Sequence, residues 1–131
     1  MSIKYKIVKT GKPGKTGAES TAYQPRIYNR KTVKADDLIK FLKSRTPVPK
    51  SDIVRVLYLF SEAVTDLLLD NCSVEIPDLG TLSLTIQGVC AGNPEEITDD
   101  AITKLGVAFR PNKVLKQELK KAIFQQANKA L

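Results

Sequence analysis

A chain of 131 residues with 42% apolar and 27% charged side chains fits one folded domain, or a small domain with an extension, and leaves little room for two. It contains no histidine, the usual general base near neutral pH and the usual partner of Ser and Cys nucleophiles, so an enzyme is not expected. No apolar run approaches the roughly 18 residues of a membrane span, and the opening Met-Ser-Ile-Lys-Tyr-Lys lacks the apolar core of a secretory signal, so a cytoplasmic chain without a membrane partner is expected.

The net charge of +7 is unevenly placed. The first 34 residues hold nine basic side chains, Lys4, Lys6, Lys9, Lys12, Lys15, Arg26, Arg30, Lys31 and Lys34, against the single acid Glu19, while the remainder is close to neutral. A localised cationic field of this kind predicts a polyanionic partner, nucleic acid first.

Ile3, Tyr5 and Ile7 alternate with Lys4 and Lys6, which predicts a strand over Ile3 to Val8 with one packing face and one basic face. The glycine-rich run from Gly11 to Gly17 reads as a loop. Its Gly14-Lys15-Thr16 imitates the end of a P-loop, but the required glycine five positions earlier is replaced by Lys9 and no βαβ unit surrounds it, so nucleotide binding is not expected. A second strand is predicted over Thr21 to Tyr28, held to a sheet edge by Pro25. Residues 1–32 are therefore expected to form a basic β-hairpin extension.

Ala35, Leu38, Ile39 and Leu42 follow helical spacing and predict a short helix to about Arg45, stopped by Thr46-Pro47-Val48-Pro49. A second helix should begin at Pro49, whose missing N–H suits a first turn, and end near Asp70 with Asn71 as a left-handed cap. Its stripe Ile53, Val56, Leu57, Phe60, Val64, Leu67 and Leu68 is joined by a second one, Val54, Tyr58, Leu59 and Leu69. A helix apolar on most sides must be covered on more than one, which favours a homodimer. The hairpin is the other available cover.

Strands are predicted over Ser73 to Ile76 and Thr81 to Ile86, joined by a tight turn at Pro77-Asp78-Leu79-Gly80. Gly88 to Leu105 interrupts them with four acids, Glu95, Glu96, Asp99 and Asp100, against Lys104, and Thr98 is placed to cap one helical turn. A third strand is expected over Gly106 to Phe109, then a helix from Asn112 to Asn128 with Val114, Leu115, Leu119, Ala122 and Ile123 inward. Cys72 and Cys90 could form one disulfide, but a reducing cytosol and the lack of histidine for a zinc site favour two small core residues. No cofactor, metal or small-molecule substrate is indicated.

From Val33 to Gln126 this order of helices and strands resembles the bacterial HU and integration-host-factor family of DNA-bending proteins. The supporting motifs are Val48-Pro49-Lys50, Val64-Thr65-Asp66, Pro77-Asp78-Leu79-Gly80-Thr81-Leu82 and Phe109-Arg110-Pro111-Asn112-Lys113-Val114-Leu115, in that order. The resemblance implies an α+β, HU-like dimeric fold over residues 33–131: a helix-turn-helix, a three-stranded sheet with a β-arm, and a C-terminal helix. It is closest to an N-terminally extended subfamily with a degenerate arm. In the family the arms are basic and end in an intercalating proline. Here the arm keeps Asn93-Pro94 but is acidic, so phosphate would repel it and Pro94 reads as a turn residue.

The resemblance also implies that Arg110 and Lys113 contact phosphate at the saddle and helix start, aided by backbone donors there, with Lys50 near the start of the second helix. With the nine cations of the extension these are the expected DNA-binding residues. The expectation is non-enzymatic, low-specificity binding of double-stranded DNA by a homodimeric, nucleoid-associated protein, because phosphate contacts position a protein without reading bases. The alternative is an HU-fold protein-interaction module using the acidic arm.

Overall fold

In the computed structural model, residues 2–11 and 21–127 are described. Contacts divide the chain into two compact units, Met1–Lys34 with Leu119–Leu131, and Ala35–Glu118.

The first unit is a three-stranded sheet of order β2-β1-β6. Strand β1 (Ile3–Gly11) pairs antiparallel with β2 (Thr21–Ile27), setting Tyr5 against Ile27, Lys6 against Arg26, and Ile7 against Pro25. Pro25 thus lies in an outer strand, where its missing N–H costs no ladder bond. On its other side β1 pairs in parallel with β6 (Phe124–Gln126), Ile3 meeting Phe124. Backbone bonds from Ile3 N–H to the Ile123 carbonyl (2.7 Å) and from Ala127 N–H to the Tyr5 carbonyl (2.8 Å) extend this ladder at both ends.

The expected helix over 112–128 is corrected here. The last helix, α3 (Lys113–Leu119), is short, and the segment behind it becomes strand. Ile123 and Phe124 have β-favouring side chains, and the open edge of β1 supplies partners that helical spacing could not reveal. Val114, Leu119 and Ile123, expected inward, are exposed.

The second unit begins with α1 (Ala35–Lys43) and α2 (Lys50–Leu69). Asp36 and Asp37 in the first turn of α1 and Lys40 and Lys43 in its last oppose the helix dipole favourably. Helix α2 starts behind Pro49 and closes in a Schellman motif: Asn71 is left-handed (φ 63°), its N–H bonds to the Leu68 carbonyl, and Cys72 N–H bonds to the Leu67 carbonyl. Ile39 and Leu68 are the buried hydrophobic side chains among the described residues.

The sheet that follows has order β3-β4-β5: β3 (Val74–Ile76), β4 (Gly80–Gly88) and β5 (Ile102–Pro111). Pro77 and left-handed Asp78 (φ 62°) turn the chain between β3 and β4, with Leu79 N–H bonded to the Ile76 carbonyl. Proline followed by a positive φ is the pattern of a type II turn.

Strand β5 starts at Ile102, not Gly106, so the β4–β5 ribbon is paired out to Gly88 and Ile102, and the acids of residues 95–100 lie beyond its ladder. A register shift near Gln87 and Gly88 leaves Thr103 unpaired, its hydroxyl donating to the Gln87 carbonyl (3.3 Å). Two short 3-10 turns, Pro94–Glu96 and Asp99–Ala101, make the tip. Thr98 precedes the second turn but makes no side-chain capping bond. Cys72 and Cys90, expected in a core, are free and exposed, because one follows the α2 cap and the other lies where the ribbon leaves its ladder.

Candidate nucleic-acid interface

The first unit separates its side chains by face, because residues directly opposite in a ladder project to the same side. One face carries Lys4, Lys6, Gln24, Arg26 and Gln125; the other carries Ile3, Tyr5, Ile7, Pro25, Ile27 and Phe124. Lys6 and Arg26 are direct cross-strand partners, an arrangement of like charges that costs sheet stability. Both have close neighbours: Lys6 Nζ stands 6.0 Å from the centroid of the Tyr28 ring, and the Gln24 amide, once turned so that its oxygen faces the Arg26 guanidinium, accepts from it at 3.1 and 3.2 Å. A cationic face kept against its own repulsion is suited to an anion.

Lys9 leaves this group, pairing with Tyr23 on the apolar side. Arg30, Lys31 and Lys34 follow in an exposed irregular segment that includes left-handed Asn29 (φ 55°). Lys12 and Lys15 lie outside the described residues.

In the second unit, Arg110 pairs with Thr81 on one face of the β4–β5 ribbon. Along that face run Ser83 opposite Ala108, Thr85 opposite Gly106, and Gln87 opposite Lys104. Small hydroxyl and amide side chains flanked by Arg110 and Lys104 make a flat donor-bearing surface that a phosphate backbone can approach closely. The opposite face is apolar: Leu82 with Phe109, Leu84 with Val107, Ile86 with Leu105. Thr81, Ser83, Thr85, Gln87 and Lys104 are not among the cations that charge and motif single out in the sequence. The signal was there in the alternation Thr-Leu-Ser-Leu-Thr-Ile-Gln over 81–87, but it gains meaning only when β5 is extended to Ile102.

Lys113 is exposed at the first position of α3 (Lys113–Leu119). The backbone donors expected beside it are partly taken: Asn112 caps the helix, its Oδ1 accepting from Leu115 N–H at 2.9 Å, and the helix spans only seven residues. Asn112 N–H in turn donates to the Leu79 carbonyl (2.8 Å), which ties the start of α3 to the β3–β4 turn. Lys50 is exposed at the first position of α2, in a groove it lines with Asp36, Ile39, Lys40, Val54 and Tyr58. Among the described residues no helix is long and apolar enough to cross a membrane.

No curated protein sequence matches this chain. A solved structure that it resembles is a Bacteroides vulgatus ATCC 8482 protein provisionally named a bacterial DNA-binding protein, with TM-score 0.70 and 14% identity over 96% of this chain. That match takes in 48% of the other protein, so this chain spans about half its length. The likeness establishes the fold. A family model described as an HU domain fused to wHTH, Ig or glycine-rich motif matches residues 1–126, almost the whole sequence, and the chain therefore belongs to this HU-HIG family.

Proposed function

We propose that this protein binds double-stranded DNA as a homodimer, without catalysis and with low sequence specificity, in the manner of a nucleoid-associated protein. The observation that carries the reading is the one-sided display of Lys4, Lys6 and Arg26 on a sheet whose other face is apolar. Membership of an HU family and the DNA-binding name given to a structural relative support it. Arg110 and Lys104, with the hydroxyls between them, supply a second contact surface, and Lys50, Lys113, Arg30, Lys31 and Lys34 add exposed cations.

These groups are suited to phosphate rather than to base edges. Lys12 and Lys15, by their place between two strands that carry the basic face, belong to the same reading. The acidic ribbon tip stays away from the duplex, and Pro94 does not intercalate.

Uncovered apolar surface supports the homodimer. Val56 and Leu59 on α2 are 64% and 61% exposed, and Leu42, Val48, Ile53, Leu57 and Phe60 help to line an apolar groove of about 380 Å³. A second copy would cover both. Titrating the protein against random-sequence duplex at several salt concentrations tests the DNA reading, and light scattering tests the stoichiometry. Steeply salt-dependent binding by a particle of twice the chain mass is expected. No duplex binding at low salt would refute the function, and a monomer would refute the assembly.

A further inference from the structure

The β4–β5 ribbon ends in a segment that phosphate contacts leave unused. Glu95, Glu96, Asp99 and Asp100 are all exposed there, against one base, Lys104. The ribbon is nonetheless regularly built, and its apolar face does not stop at the body of the unit. Ile86 and Leu105, directly paired, are 65% and 54% exposed, and Ile102, opposite Gly88 on the same face, is 48% exposed. An apolar strip bordered by carboxylates is complemented by an apolar surface bordered by cations.

The described residues contain such a surface. The apolar side of the β2-β1-β6 sheet forms an open groove of about 480 Å³ lined by Ile3, Tyr5, Pro25, Arg26, Ile27 and Phe124. Lys9 projects from the same side, opposite Tyr23. Phe124 is two-thirds exposed and Ile27 about half exposed, so the face lacks a cover of its own.

We propose that the β4–β5 ribbon of one copy docks its apolar face into this groove of a second copy, with the carboxylates of residues 95–100 beside Lys9. Burial of the two apolar faces supplies the attraction. The rim ion pairs, which are worth little when exposed, set orientation and exclude other partners. Within a pair of chains the exchange is reciprocal, each copy giving a ribbon and receiving one, so the assembly closes on itself. Lys4 and Lys6 project from the other face of the sheet and stay open to phosphate.

The test uses the whole protein, without DNA. Equal amounts of ¹⁴N- and ¹⁵N-labelled chain are unfolded and refolded together, then treated with a carbodiimide that joins carboxylates to neighbouring amines. Mass spectrometry should find residues 95–100 linked to Lys9, with mixed-isotope links as abundant as same-isotope ones. Ile27→Asp, which places a charge in the groove at an exposed position, should remove most of these links without changing the circular dichroism. Absence of the links, same-isotope links only, or mixed links undiminished by Ile27→Asp would each overturn the proposal. Same-isotope links alone would mean that the ribbon reaches the groove of its own chain.

Discussion

Gly80 lies against the backbone of Arg110: a Cβ built on this glycine would run into the Arg110 carbonyl oxygen and come within 2.8 Å of Cζ of Phe109. The opposing backbone cannot yield as a flexible side chain would, so only glycine fits where β4 meets β5. The same contact fixes the strand that presents Arg110. Gly80→Ala should therefore cost about 1–3 kcal/mol, the range for forced overpacking, and lower the melting temperature by several degrees. Duplex affinity should fall with it as Arg110 shifts. An unchanged thermal melt would show that β5 can move aside freely.

Lys6 and Arg26 offer a test in which stability and binding move in opposite directions. Lys6→Glu replaces a like-charge cross-strand pair with an opposite-charge one, which should stabilise the β2-β1-β6 sheet by about 0.2–1 kcal/mol. If the face is kept basic for an anion, the same change weakens duplex binding. Chemical denaturation and a duplex titration on the one variant check both signs, and a gain in both would remove the functional reading of this pair.

Strand β6 should hold the basic face together from the far end of the sequence. Truncation after Leu119 removes the parallel partner of β1 and the carbonyl of Ile123 that accepts from Ile3 N–H. Amides of Ile3 to Ile7 should then exchange faster with solvent, while those in the middle of α2 keep their protection. Uniform acceleration would mean that the two units do not fold separately.

At the end of α2, Asn71 sits in the left-handed region with φ 63°. Asn71→Ala should cost about 1 kcal/mol, since an ordinary side chain is penalised there, whereas Asn71→Gly should be close to neutral. Equal losses from the two would point to the asparagine side chain instead of its backbone.

What could be read from sequence followed the range of the interactions. The Schellman cap at Asn71, the turn at Pro77-Asp78 and the edge placement of Pro25 are governed by nearby residues, and each stands where local chemistry put it. The register of β5 and the existence of β6 depend on pairing with distant strands. Helical spacing in 112–128 therefore masked a strand at Phe124 that exists because β1 has an open edge. The candidate site divides the same way. The alternation that placed Lys4 and Lys6 together was visible, but the separation of Lys9, the cross-strand meeting of Lys6 with Arg26, and the hydroxyl face beside Arg110 required the ladder register. For Cys72 and Cys90, excluding a disulfide and a zinc site leaves small side chains, but small size does not determine depth when both follow the end of an element.

The most direct test of the central claim is the salt dependence of duplex affinity for the unaltered protein and for Lys4→Gln/Lys6→Gln/Arg26→Gln. The logarithm of affinity should fall linearly with the logarithm of salt concentration, with a slope of roughly 0.9 per phosphate neutralised. Removing three contacting charges should then make the slope shallower by roughly two to three. An unchanged slope in the triple variant, or no duplex binding by the unaltered protein at low salt, would contradict the account.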